Sequence, residues 1–188
     1  MADCGRGSPD LIVEVAHPDI TRQHGAAFLA VADFMIGSPT ALADRETEAA
    51  LAAAADRRGL YVPSGALWGG EDIRRMAERG SLRSLTVTMR KHPASFKLTG
   101  ELAVKNAAVG GEAVELYNGP VRNLCPLAPN NVNTMAAAAV AASNLGFDGT
   151  MGRLVADPAI PLWHEVVVEV GGPEGPGGNN FSVRTVRR

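Results

Sequence analysis

The sequence predicts an α/β protein with two parts: a partial parallel sheet covered by helices, then an α+β domain with a mixed or antiparallel sheet. In the first eighty residues, short continuous apolar runs alternate with helical patterns. Such runs are typical of parallel strands that are buried on both faces. Beyond residue 80 the sequence is rich in strand-forming residues, interrupted by one Asn-led helix. We therefore divide the chain into domains 1–80 and 81–188.

The first domain is expected to hold three strands and three helices. The strands are LIVEVA (11–16), FMIG (34–37) and LYVPSG (60–65), and the helices cover about 19–33, 44–57 and 71–79. In the second domain the expected strands are 82–89, 113–117, 151–155, 165–170 and 181–186. The Gly/Pro-rich stretch GGPEGPGG (171–178) predicts a tight connection between the last two strands.

The helix in LAPNNVNTMAAAAVAASNLGFDG (127–149) begins with more amide side chains than capping requires. One asparagine is enough to cap a helix, yet Asn130, Asn131 and Asn133 all precede the alanines. Gly146 is expected to end the helix as a C-cap. Simple capping explains the pattern, but the surplus amides and small side chains also suit a helix start that faces a polar partner.

Composition and charge exclude several classes of protein. A net charge of −2 gives no support to nucleic-acid binding or to an acidic membrane surface. No apolar run is long enough to span a membrane, and the N-terminus lacks the apolar stretch of a secretory signal. Two cysteines, Cys4 and Cys125, cannot form a disulfide framework, which predicts reduced thiols in a cytoplasmic protein, with Cys125 buried.

Two further stretches could carry chemistry. SGALWGGEDI (64–73) puts small residues at the end of a predicted parallel strand, where open α/β sheets bind ligands, although a strand-to-helix turn also needs glycine. His164 opens the strand HEVVVEV, and an imidazole can both donate and accept a proton near neutral pH. A solvated histidine at a strand end is the simpler interpretation. No histidine pair has metal-ligand spacing, so no metal site is predicted.

Taken in order, these blocks resemble the L-aspartate dehydrogenase family. They are DLIVEVAHP, IGSPTAL, PSGALWGGEDIRR, GPVRNLCPLAPNNVNTMAAAA, LGFDGTMGRLVAD and WHEVVVEV, and they extend over nearly all of 10–188. The resemblance implies a Rossmann-like first domain and a second domain for substrate binding and dimerisation. It also implies an enzyme that interconverts L-aspartate and oxaloacetate plus ammonia, with NAD or NADP as cofactor.

The resemblance also implies site residues. His164 matches the catalytic histidine, a general acid/base. Ala66 matches an alanine that contacts the cofactor, and a cofactor-binding asparagine falls at Asn131 or Asn133, a choice that the sequence leaves open. A dicarboxylate needs a cation, for which we select Arg122 because its fork suits a carboxylate. The reserves are Arg90, Lys91 and His92.

The chain also departs from the family pattern. A dinucleotide site requires a strand, a G-x-G-x-x-G turn and a helix, and the near match GRGSPD (5–10) precedes a strand instead of following one. We therefore expect a chain shortened at both ends that binds NAD(P) weakly. The competing hypothesis is a non-catalytic protein that keeps the dimerisation sheet and acts by pairing. The family pattern implies a homodimer, whereas under the competing hypothesis the chain pairs with itself or with a full-length partner.

Overall fold

The computed structural model describes residues 9–177 and 180–188. Its chain divides into two compact units, Met1–Pro63 and Ser64–Arg188. Within the part of the chain that the structure describes, none of the helices combines the length and the apolar character that a membrane crossing demands.

The first unit is a three-stranded parallel sheet with helices. Its elements are β1 (Leu11–Glu14), α1 (Pro18–Val31), β2 (Asp33–Ile36), α2 (Arg45–Ala54) and β3 (Leu60–Tyr61). The strand order is β1-β2-β3 and both pairings are parallel, which confirms the predicted parallel sheet. Its core includes Leu29, Phe34, Ile36 and Leu51, which are almost fully buried. The third strand is much shorter than LYVPSG predicts, because only Leu60 and Tyr61 pair with β2.

A buried carboxylate organises the loops at the end of β1 and β2. Glu14 is 3% exposed, and its side chain accepts backbone N–H bonds from Ala16 (2.6 Å), His17 (2.8 Å) and Ser38 (2.9 Å). The N–H of Gly37 donates to the Glu14 carbonyl oxygen over 2.7 Å. A Cβ at position 37 would lie 2.3 Å from that oxygen, so the close approach requires glycine.

The second unit is a five-stranded mixed sheet with helices. Its elements are α3 (Gly70–Glu78), β4 (Ser84–Lys91), α4 (Gly100–Ala107), β5 (Val114–Pro120), α5 (Val121–Leu124), α6 (Asn133–Ala141), α7 (Gly146–Gly149), β6 (Met151–Ala156), β7 (Glu165–Glu174) and β8 (Asn180–Arg187). The strand order is β5-β6-β4-β7-β8, parallel only between β4 and β6. The mixed sheet is confirmed. The sequence analysis did not predict α4, a short helix of eight residues that buries only Leu102.

The core of the second unit follows the alternation of its strands. Leu85, Val87 and Met89 of β4 lie opposite Val170, Val168 and Val166 of β7, and all six are buried. Helix α6 contacts β4, and α3 contacts α6. Because α3 packs in this unit, the division falls after Pro63 rather than near residue 80 as expected from the sequence.

The start and end of α6 differ from the prediction. The N-cap residue is Val132, and no side chain caps the helix. Asn133 is the first helical residue, while Asn131 bonds elsewhere. The helix ends at Ala141, well before Gly146, which adopts a left-handed backbone (φ 58°) and donates its N–H to the Ala142 carbonyl oxygen over 2.7 Å. Within the described structure none of the three asparagine side chains caps this helix, and that of Asn131 is bonded to the Lys97 carbonyl oxygen instead.

Candidate functional site

A small pocket in the second unit contains two of the predicted site residues. We call it the His164 pocket; it has a volume of about 100 Å³ and is lined by Ala66, Met89, Thr134, His164, Val166, Arg187 and Arg188. These residues come from the loop before α3, from β4, from the first turn of α6, from the start of β7 and from the end of β8. A volume of this size suits a small polar group, whereas a whole dinucleotide needs several hundred Å³.

His164 lies directly before β7, as the sequence predicts. Its side chain is exposed, and within residues 9–177 and 180–188 it makes no hydrogen bond or ion pair. Both neighbours of His164 are held by Arg188. The guanidinium Nε of Arg188 lies 2.9 Å from Oε2 of Glu165, and its Cζ lies 5.6 Å from the ring centroid of Trp163. Arg188 thus contacts the side chains on both sides of His164, while the imidazole itself stays exposed to a ligand.

Ala66 lies in the exposed loop between Ser64 and Gly69. Gly65 and Gly69 adopt left-handed backbone conformations (φ 56° and 78°) that let the loop turn sharply before α3. The guanidinium of Arg187 donates a hydrogen bond to the Ala66 carbonyl oxygen. This bond ties the loop to the end of β8. Ala66 and His164 thus line the same pocket.

The two candidate asparagines have different environments, and neither lines the His164 pocket. The Asn131 side chain is committed, because its Nδ2 donates to the Lys97 carbonyl oxygen over 2.7 Å. Asn133 is followed by Thr134, which does line the pocket. The Oδ1 atom of Asn133 is buried without a hydrogen-bond partner among the described residues. A buried acceptor in this state is costly unless a donor reaches it.

Arg122 does not lie in the His164 pocket. Its Nε is 2.9 Å from Oδ1 of Asp148, and its Cζ is 5.4 Å from the ring centroid of Phe147. The Arg122 side chain is only 12% exposed. Its charge is therefore compensated by α7, and the choice of Arg122 as the substrate cation is not supported by this geometry. The pairing joins residues that are far apart in sequence, so no local pattern could reveal it.

The three reserve residues lie outside the pocket as well. Arg90 Nη2 is 2.5 Å from Oδ2 of Asp157, a carboxylate that is almost fully buried. Burial lowers the pKa of the Lys91 ammonium, whose Nζ lies 5.9 Å from the Phe96 ring centroid. His92 caps a short 3₁₀ helix, since its Nδ1 accepts the N–H of Ala94 over 3.2 Å.

Sequence reasoning missed the two arginines of the pocket, Arg187 and Arg188. The signal was present in VRTVRR, where two cations directly follow the predicted strand 181–186. Their use depends on the antiparallel pairing of β8 with β7, which sets Arg187 opposite Val166. That register is not readable from the sequence of β8 alone, since it depends on the partner strand.

A larger cavity of about 410 Å³ lies elsewhere in the second unit. It runs between α3 and the β7–β8 strands, and its lining includes Trp68, Ile73, Met76, Val168 and Phe181. Neither Ala66 nor His164 lines it. We assign the site by its chemistry rather than its size, because the larger cavity is mainly apolar and holds none of the predicted site residues. In the described ranges, no group of three or more His, Cys, Asp or Glu side chains could hold a metal ion.

Two family models match this chain, one in each of its two parts. The family model for the C-terminal domain of aspartate dehydrogenase matches residues 72–188, and the model for the NAD-binding domain of homoserine dehydrogenase matches residues 1–63. The chain belongs to the aspartate dehydrogenase family. Membership and the two matched models place it among the oxidoreductases that use an NAD-type cofactor.

The chain is similar to curated members from several organisms. It is 60% identical to an aspartate dehydrogenase domain-containing protein of Xenopus tropicalis and 51% identical to one of Danio rerio. Each of these matches covers 100% of this chain and 67% of the relative, so the chain spans about two thirds of their length. It is also 35% identical to an L-aspartate dehydrogenase of Methanosarcina barkeri, over 73% of this chain and 51% of that protein.

A solved structure has the same fold. The crystal structure of aspartate dehydrogenase from Thermotoga maritima matches with a TM-score of 0.76. The match covers 98% of this chain and 72% of that one, at 18% sequence identity. At that identity the likeness concerns the fold alone.

Proposed function

We propose that this protein is an NAD(P)-dependent L-aspartate dehydrogenase that interconverts L-aspartate and oxaloacetate plus ammonia. The observation that carries the proposal is the presence of His164 and Ala66 in one pocket of a chain that belongs to this family. These two residues are far apart in the sequence of the second unit, and both match family positions implied by the resemblance. Their proximity supports a common site.

In this reaction His164 would act as the general acid/base. Oxidation of aspartate gives an imine. Water must then add to the imine carbon, and ammonia must leave from the adduct. An imidazole nitrogen of His164 can take the proton of the attacking water and deliver it to the departing amine. The exposed ring has no competing hydrogen bond within the described chain, which leaves both nitrogens for this role. The contacts of Arg188 with Glu165 and Trp163 would restrict the two residues on either side of His164.

The cofactor supplies the hydride acceptor for the oxidation. Of the two candidate asparagines, we propose Asn133 as the cofactor contact, because its buried Oδ1 has no partner in the described part of the protein, whereas the Asn131 side chain is bonded to Lys97. An amide oxygen in this state fits a ligand that offers an N–H or O–H donor. Ala66, whose side chain is a methyl group, would let the cofactor come close to the loop. The sequence and the geometry leave NAD and NADP as equal candidates.

The proposal is tested by an activity assay on the full chain. We expect L-aspartate to reduce NAD or NADP, detected by the absorbance of the reduced nicotinamide, and oxaloacetate with ammonium to reoxidise it. L-Alanine and L-glutamate are the matched controls, since one lacks the side-chain carboxylate and the other extends it. Absence of turnover with both cofactors in both directions would contradict the proposal. A homodimer and a cytoplasmic location accompany it as predictions, and sedimentation and imaging test them.

A further inference from the structure

A dicarboxylate substrate needs a cation beside the proton-transferring group, and Arg122 is paired with Asp148. We infer that Arg187 binds a carboxylate of the substrate in the His164 pocket, an inference that rests on the proposed function. Arg187 and Arg188 are the cations among the residues that line this pocket. A carboxylate ligand requires the arginine whose positive charge is not already paired with a carboxylate of the protein.

The charges of the two arginines are compensated differently. Arg188 forms an ion pair with Glu165 over 2.9 Å. Arg187 donates to the Ala66 carbonyl oxygen, which is neutral, and within the described ranges no carboxylate oxygen lies within 4.0 Å of its guanidinium. Its positive charge is therefore not paired with a carboxylate in the described ranges, and its further N–H groups can still donate.

Strand register explains why Arg187 points toward the pocket. Arg187 is paired with Val166 of β7, and Val166 lines the same pocket. Side chains alternate along a strand, so the two arginines of β8 at positions 184 and 187 lie on opposite faces of the sheet. Arg184 lies opposite Glu169, and its Nε is 3.5 Å from the Glu169 Oε1 atom. The chain thus provides its own control residue, with the same charge on the same strand.

The bond to Ala66 also orients the guanidinium before substrate binds. A planar fork that is already held by one hydrogen bond loses less freedom when it binds a carboxylate with two parallel N–H donors. The same bond places this cation beside the loop that carries a proposed cofactor contact. Arg187 is therefore suited to set the position of the substrate relative to both His164 and Ala66.

Binding can be measured without turnover. Succinate keeps both carboxylates of aspartate but cannot be oxidised as an amine, and Trp163, next to His164, is one of two tryptophans whose fluorescence can report its binding. We expect Arg187→Gln to weaken succinate binding and raise the KM for aspartate by about 10- to 100-fold, the effect of losing a hydrogen bond to a charged group. Arg187→Lys should recover part of the loss. Arg184→Gln should leave both quantities within about twofold.

The glutamine variant removes the positive charge and, because its side chain is shorter, also the bond to the Ala66 carbonyl oxygen, so Arg187→Lys, which keeps the charge, separates charge from structure. If Arg187→Met unfolds but Arg187→Gln is folded and binds succinate weakly, the inference stands. Equal succinate affinity in wild type, Arg187→Gln and Arg184→Gln would overturn it, and so would a wild-type chain that does not bind succinate. Succinate binding that depends on Arg187 in a protein without aspartate turnover would retain the inference and reject the proposed function. Aspartate turnover with a KM unchanged by Arg187→Gln would do the reverse.

Discussion

Ala66 and His164 line one pocket, although one lies in the loop before α3 and the other directly before β7. If this pocket is the site of chemistry, His164→Ala should lower kcat by about 10² to 10⁴, the usual contribution of a general acid/base. Cofactor affinity should change little, because the imidazole is proposed to act on substrate. Steady-state kinetics with a cofactor titration check both points. His92→Ala is the matched control, and an equal loss there would argue against a special role for His164.

The two asparagines should separate into a binding and a structural role. Asn133→Ala is expected to weaken NAD(P) binding by up to about 3 kcal/mol and to leave stability unchanged or slightly raised, since it removes a buried acceptor without a partner. Asn131→Ala should instead destabilise the protein by about 1–3 kcal/mol, because the Lys97 carbonyl oxygen loses its donor. Calorimetric titration and denaturant unfolding on both variants give the comparison. Reversed effects would show that Asn131 is the cofactor contact.

The ion pair between Arg122 and Asp148 should matter for stability and not for substrate binding. Arg122 is largely buried while half of the Asp148 side chain is exposed, so solvent screens the pair and we expect a coupling energy below about 1 kcal/mol. A double-mutant cycle with Arg122→Met and Asp148→Asn measures it by denaturant unfolding. The KM for aspartate should stay within about twofold in all three variants. A large rise in KM for Arg122→Met alone would restore Arg122 as a substrate residue.

The Glu14 carboxylate should stabilise the fold of the first unit. In Glu14→Gln, one end of the amide would present N–H donors to backbone N–H groups that now bond to the carboxylate. We expect the free energy of unfolding to fall by about 1–3 kcal/mol, together with faster hydrogen exchange at the amides of Ala16 and Ser38. Glu112→Gln makes the same chemical change at an exposed position and should have little effect. Unchanged exchange at both amides in Glu14→Gln would count against this role.

Lys91 should make stability depend on pH. Burial lowers the pKa of the Lys91 ammonium, so the folded state binds this proton less tightly than the unfolded state does. The free energy of unfolding therefore rises as the pH increases from the lowered pKa toward the ordinary lysine pKa. Lys91→Met should therefore raise the thermal midpoint at neutral pH, and its advantage should shrink at alkaline pH. Thermal unfolding across this range, with Lys97→Met as the exposed control, tests the sign. An advantage that grows with pH would contradict it.

The parts of the fold that depend on local periodicity could be predicted. Apolar runs around β1 and β2 gave the parallel sheet, and the strand-rich second half gave the mixed sheet. The helix α4 could not be found, because its short sequence buries a single leucine. The boundary after Pro63 also escaped the pattern, since it depends on α3 packing against α6 rather than on the composition of either segment.

For the candidate site, the sequence alone determined which residue types were available and, through the ordered blocks, the family to which the chain belongs. It selected His164 and Ala66, which the structure brings together. Only the tertiary structure decided that Arg122 pairs with Asp148 while Arg187 reaches the pocket, and that Asn131 is committed to Lys97. The physical reason is that periodicity records which side of an element is buried. A hydrogen bond or ion pair depends on which distant segment packs against that element, and strand register and helix packing fix that choice.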